Sequence, residues 1–390
     1  MARHPFNNTP LLLLLLLNFL FLASAIPIAR DDTKQITSRD ETINFNEIGA
    51  SFTLGSAETT VATQGTYPRM VRLADNGILA ISTVRGADNL RILTITRSDD
   101  NGRTFAQIGE VARSTGEMDN GFLLKLASGS LLAAFRNHDL NAARALTYFR
   151  ITVCRSDDGG RSWYYVQNAF EQPASADGYN GLWEPFMRIA RDGSVQLFYS
   201  GELSRTNQET FRVVSTDEGR TWTAPVNLRL HGTDQQFRDG MTGIAATTDA
   251  ADGRDALVMV FEVQDGTFFH LATVLSYDDG ITWGTRTDIY SAPQHNAGAP
   301  QIKAVGNNLA VVFMTDEDTP AGQLNWAQKA DIKMIFSTQL SGASVRWSTQ
   351  TMHLSEDSSY WPGLFQIDPN TLLAAYERGG VSLARFVTKV

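Results

Sequence analysis

Ser215-Thr216-Asp217-Glu218-Gly219-Arg220-Thr221-Trp222 decides the reading of the fold, because it recurs. Residues 98–105 read SDDNGRTF, 156–163 read SDDGGRSW and 276–283 read SYDDGITW. The shared pattern is Ser-x-Asp-x-Gly-x-Thr/Ser-Trp/Phe. Its Asp can accept hydrogen bonds from backbone N–H groups across a tight turn, and its Gly can take a positive φ. The aromatic then packs under the turn as a staple. A strand-like run such as Phe211-Arg212-Val213-Val214 precedes each copy. The copies begin at 98, 156, 215 and 276, in steps of 58, 59 and 61. A further step of 61 reaches Ser337, where residues 337–342 and Trp347 read as a degenerate fifth copy.

A period of this size means one supersecondary unit per repeat, here a four-stranded antiparallel blade. Residues 43–390 number 348, and 348/58 is 6. The expected fold is all-β, a six-bladed β-propeller. The repeated turn resembles the Asp-box of sialidases and related propellers, where its role is to staple the outer hairpin. First strands are expected at 69–73, 121–126, 185–190, 241–246, 300–305 and 362–367. Second strands are expected at 78–84, 131–135, 195–199, 256–261, 309–314 and 372–376. The last repeat shows three strands, so residues 43–54 are expected to supply its outer strand and close the ring between the two termini.

Residues 1–25 read as a signal peptide: Arg3 and His4, an apolar run 11–22, then Ala23-Ser24-Ala25. Residues 26–42 read as a polar, flexible leader, and 43–390 as a single catalytic domain. The expected product is secreted and extracellular. Cys154 is the single cysteine, so no internal disulfide forms, and its apolar strand predicts a buried thiol. The formal charge of −9 argues against nucleic acid or an anionic membrane as partner. A monomer acting on an oligosaccharide or polysaccharide is expected.

In a four-stranded meander the repeated turns occupy one face. The starts of first strands and the ends of second strands occupy the other. Polar and aromatic residues gather at those positions: Arg69, Asp119, Asn120, Trp183, Glu184, Arg238, Asp239, Gln301 and Tyr360 on one set, and Arg136, His138, Glu202, Glu262, Asp316, Glu377 and Arg378 on the other. Carboxylates, arginines and aromatics converging on one axis suit glycoside hydrolysis. That reaction needs one carboxyl to protonate the leaving oxygen and another to attack the anomeric carbon or activate water. Glu184, between Trp183 and Pro185, and Glu262, ending an apolar strand, stand out as candidates because burial would raise their pKa. The alternative for each polar residue is a salt bridge lining a funnel.

The segments Tyr67-Pro68-Arg69, Phe135-Arg136-Asn137-His138-Asp139, Trp183-Glu184-Pro185-Phe186, Arg238-Asp239-Gly240-Met241 and Phe261-Glu262 together resemble the fungal exo-α-1,5-L-arabinanases of glycoside hydrolase family 93. The resemblance runs over essentially the whole chain after the signal segment. It implies a six-bladed propeller that releases arabinobiose from the non-reducing end of linear arabinan with retention. It also implies that Glu184 is the acid/base and Glu262 the nucleophile. Substrate contacts are expected from Arg69, Asp119, Asn120, Arg136, His138, Trp183, Arg238, Asp239, Gln301, Tyr360 and Tyr376. An exo-α-sialidase and a non-catalytic sugar-binding propeller are the alternatives. No cofactor is expected. The histidines form no HExxH-type pair, and Asp316-Glu317-Asp318 reads as a solvated acidic loop rather than a metal site. The long connection 316–331 carries Trp326, a candidate wall at one end of the cleft.

Overall fold

The computed structural model describes residues 39–320, 326–356 and 358–390. The expected signal segment, and the leader as far as residue 38, lie outside these. The first strand, Glu41–Phe45, begins two residues inside the segment read as leader. The described chain is all-β: beyond two three-residue 3₁₀ turns, every regular element is a strand.

The strands form five sheets. Three are four-stranded meanders, over residues 66–114, 117–173 and 297–355. An eight-stranded sheet contains two more, over 182–227 and 238–290, joined by one parallel pairing of Gln208 with Arg238. The last sheet combines the three C-terminal strands with three from the N-terminus. Phe52–Leu54 pair with Val387–Lys389, and Thr59–Ala62 pair with residues 382–384. N-terminal chain therefore fills the outer edge that the last repeat lacks.

Near-continuous apolar runs in the inner strands let each sheet bury both faces. Six apolar clusters result, each shared by neighbouring meanders; one lies between the two halves of the eight-stranded sheet. One holds Ile78 and Ala80 of the first meander against Phe365, Leu373 and Ala375 of the last sheet. The first strands also pack on one another in order, and that of the last sheet packs on that of the first meander. Cys154 is buried, and burial pushes its thiol up to about 12.

The repeated turns fall between third and fourth strands, as expected. In the copy at 215–222, Asp217 accepts from Thr221 N at 2.8 Å and Thr221 Oγ1 at 2.7 Å. Ser215 Oγ accepts from Gly219 N at 2.8 Å, and Trp222 Nε1 donates to the Gly219 carbonyl at 3.1 Å. Gly219 has φ of 88°, which only glycine adopts cheaply. A Cβ on it would lie 3.1 Å from Leu132 of the preceding meander, so the turn fastens one sheet to the next.

The degenerate fifth copy lacks an Asp of its own. Asp249, buried in the neighbouring meander, supplies the carboxylate. It accepts from Gly342 N at 2.7 Å and Ala343 N at 2.9 Å, and from Tyr277 Oη at 2.6 Å. Ser337 and Trp347 are joined by an isolated antiparallel backbone bridge.

Trp222 is half-buried against Leu132 and its neighbours rather than enclosed. Trp222→Ala is expected to cost about 2 kcal/mol, less than a fully buried aromatic. Urea denaturation measures this, and kcat should hold because the turn lies at the far end of the strands from the glutamates. Unchanged stability with lost activity would put the turns on the wrong face.

Candidate active site

Each first strand starts three or four residues before the apolar run that the sequence shows: Thr66–Arg72, Glu117–Lys125, Leu182–Ile189, Arg238–Thr248, Ala297–Val305 and Ser359–Asp368. Between the start and the apolar run the pairing register shifts in all six. At the shift stands a non-glycine residue with positive φ: Tyr67, Asn120, Glu184, Met241, Ala299 and Trp361, at 46° to 55°. A bulge puts two residues opposite one and re-aims a side chain. Six left-handed non-glycine residues at about 1 kcal/mol or more each persist only where surrounding packing over-determines them. They mark the functional face.

The bulges bring five first strands to one small cavity. Arg69, Asn120, Phe122, Glu184, Met241 and Gln301 line it. Each bulge also frees a backbone N–H from the ladder. Glu184 Oε2 accepts from Met241 N at 3.3 Å, the bulge residue of the following meander. Glu262 repeats this one step on: its Oε2 accepts from Ala299 N at 2.7 Å. Two glutamates on consecutive meanders thus share one kind of anchor.

Burial raises the Glu184 carboxyl, opposed by the positive charge of Arg136. Burial also raises Glu262, helped by the neighbouring Glu184, up to about 7. Two buried like charges titrate as a pair, and one proton stays on it into the neutral range. Arg238 acts on both carboxyls but Arg136 on Glu184 only, so the empty site favours that proton on Glu262. This is opposite to the distribution that the sequence roles would need in the Michaelis complex.

Glycines make room around Glu262. A Cβ on Gly298 would sit 2.7 Å from Glu262 Oε2 and 3.0 Å from Trp326 Cζ2. Trp326 therefore reaches the same point as the carboxylate, stacked on Phe269 with ring centroids 6.0 Å apart. A Cβ on Gly240 would sit 3.3 Å from Glu262 Oε1.

Other residues singled out in the sequence are placed as follows. Arg69 is buried, and desolvation pushes it down to about 10. Its Nη1 donates to the Pro68 carbonyl at 3.0 Å, and among the described residues no carboxylate lies within salt-bridge distance of it. Arg136 lies over the Trp183 ring, Cζ 5.1 Å from the centroid. His138 Nε2 bonds the Leu182 carbonyl at 2.8 Å, and burial keeps the ring well below its ordinary pKa, hence neutral. Its ring meets Trp183 edge to face, so His138 props the indole beside Glu184. Arg238 donates to Glu202 at 2.7 Å. Tyr360 Oη donates to the Gln328 carbonyl at 2.9 Å.

Three expectations change. Asp239 is fully buried away from the cavity, held by both Arg286 nitrogens at 2.8 and 3.0 Å and by His231 Nδ1 at 3.0 Å. Tyr376 is a fully buried core residue whose hydroxyl bonds Glu58. Asp316 is no solvated acid: it is buried and accepts from Asn296 N at 2.6 Å. The cation-like cluster lies nearby instead. Asp318, Asp331 and His353 bring ligand atoms within 4.8 Å of one another, and Lys333 Nζ, 2.5 Å from Asp318, already supplies positive charge there.

Sequence reading missed Glu117, Arg91, Gly298 and Phe269. It also missed Tyr67 stacked on Trp361, with centroids 4.6 Å apart. The bulge positions share a place in the repeat but no residue type, so composition alone carries no sign of them.

No protein-family model matches the chain, and no curated protein matches it by sequence. Solved structures do match it. An α-L-arabinofuranosidase from Fusarium graminearum, a mutant in complex with an iminosugar inhibitor, is 18% identical over 85% of this chain and 97% of its own, with TM-score 0.65. The α-L-arabinanase of Penicillium chrysogenum, complexed with arabinobiose, is 18% identical over 84% and 97%, with TM-score 0.62. A protein of unknown function from Dyadobacter fermentans is 14% identical over 85% and 97%, with TM-score 0.60. The likeness is one of fold. Chemistry has to come from the site.

Proposed function

We propose that this chain is a secreted, monomeric retaining glycoside hydrolase that acts on linear α-1,5-L-arabinan and releases arabinobiose from the non-reducing end. The observation that carries the reading is the glutamate pair, Glu184 and Glu262. Both are half-buried and raised in pKa by desolvation, and each is anchored to the freed N–H of the next bulge. Fold likeness to two arabinan- or arabinose-directed enzymes supports the substrate class. The framework is proposed as a closed six-bladed propeller. Six shared apolar clusters, first strands packed in cyclic order and N-terminal strands paired to the last sheet support that.

In the proposed reaction Glu262 attacks the anomeric carbon while Glu184 protonates the departing oxygen. Glu184 then takes a proton from water, which attacks the glycosyl–Glu262 ester and frees the carboxylate. The proton that favours Glu262 in the empty site passes to Glu184 on binding. The role assignment rests on the Trp183-Glu184-Pro185-Phe186 resemblance.

A sialidase needs three arginines free to grip a substrate carboxylate. Here Arg136 has Glu117 and Asp119 at 3.6 Å, Arg238 has Glu202 at 2.7 Å and Arg378 has Glu58 at 2.5 Å. Arg69 alone among these four lacks such a partner. Debranched arabinan against a sialyl aryl glycoside discriminates: arabinan turnover is expected, sialoside turnover would reverse the reading, and turnover of neither would favour a sugar-binding protein.

Gly298→Ala tests the position of Glu262. Its φ is ordinary and the obstructing atoms are side-chain ends, so the protein should fold. Displacing the carboxylate or Trp326 by even a fraction of an ångström is expected to lower kcat/KM by about 10–100-fold with little change in Tm. Wild-type kinetics would remove Glu262 from the reaction centre.

A further inference from the structure

Arg91 opens the third strand of the first meander and reaches into the second. Its Nη2 lies 2.5 Å from Glu117 Oε1 and its Nη1 3.0 Å from Asp119 Oδ2. On the other side Arg136 Nη2 lies 3.6 Å from Glu117 Oε2 and 3.6 Å from Asp119 Oδ2. Two buried carboxylates are thus held between two guanidiniums. Arg85, half exposed, adds a third at 3.7 Å from Asp119. Such a cluster is a poor way to gain stability, because apolar residues of the same volume do as well or better. Its position gives it another use. Arg136 lies over the Trp183 ring, and its positive charge acts on Glu184.

Three arginines against two carboxylates leave the cluster one positive charge in excess. Removing Arg91 would leave it neutral and let Glu117 and Asp119 pull Arg136 toward themselves. We propose that Arg91 is a positioning residue: by sharing Glu117 and Asp119 with Arg136, it holds the Arg136 guanidinium over Trp183 and fixes the charge that Glu184 meets. Arg91 does not line the cavity, so it acts through its neighbours. The other groups facing Glu184 are Arg69, Tyr67, Arg238 and Glu262. Those facing Asp119 are Arg85, Tyr67 and Glu377. None of these replaces the bidentate reach of Arg91.

The inference rests on the glutamate pair assigned above. Arg91→Met should move the acid limb of the kcat/KM–pH profile to higher pH by about one unit, because the glutamates lose a stabilising charge. Arg91→Lys should restore most of the shift. ¹³C-carboxyl NMR of glutamate-labelled protein reads the same titration without substrate. Inactivity on arabinan would therefore sink the proposed reaction and leave this test intact. Arg85→Met, at a more exposed position, gives a smaller shift of the same sign, and it decides the matter if Arg91→Met does not fold. An unmoved titration in a folded variant, or a shift that Arg91→Lys fails to reverse, would overturn the proposal.

Discussion

Glu184→Ala is expected to lose about 10²–10⁴-fold on arabinan, the usual cost of removing a general acid. It should still react with an aryl α-L-arabinoside that carries a good leaving group. Such a group departs with little protonation, so the variant stalls at deglycosylation for want of a base. Azide needs no base. It should relieve the stall and give the α-azide, with net retention. Glu262→Ala lacks the covalent step, and a good leaving group should help it little. Azide entering the vacated space should attack directly and give the β-azide. Swapped stereochemistry would exchange the two roles, as the charge distribution of the empty site favours. Wild-type turnover in both variants would remove the pair from the mechanism.

Glu262→Gln should abolish turnover and yet stabilise the protein at alkaline pH. The folded-state carboxyl is raised from 4.5 to about 7 by burial and by Glu184. A raised carboxyl favours folding while it is protonated, below the unfolded value. That contribution is lost as pH rises through the folded value. A shift of this size corresponds to roughly 3 kcal/mol at pH 8, as an upper figure for a coupled pair. Chemical denaturation at pH 4 and pH 8 checks it. The variant and the wild type should match at pH 4, and the variant should be the more stable at pH 8. Equal stabilities at both pH values would mean that the carboxyl is solvated and unfit for the proposed role.

The outer turns were legible because their chemistry is local. Asp217 and its three counterparts bond N–H groups within four residues, so the pattern survives in the sequence. The fifth turn was only half legible, since its carboxylate comes from Asp249, far along the chain. The inner strands were read short for another reason. Their first one to three residues precede a bulge, and the bulge breaks the period of two on which strand reading depends. The same break explains Asp239. Counting along an unbulged strand points Asp239 at the axis. In the structure it turns into the seam with Arg286. Tyr376 ends the continuous buried run 372–376 and sits in the core. Glu184 and Glu262 were legible as acids in apolar surroundings. Their shared anchor was not, because the N–H groups of Met241 and Ala299 become free only when the bulges form.

The most direct test of the central claim is a ¹H NMR time course of linear α-1,5-L-arabinan digestion, read at the anomeric protons of the first product. The proposed reaction gives arabinobiose that appears first as the α-anomer and then mutarotates. Appearance of the β-anomer first, or no product from wild-type protein that is folded, would contradict it.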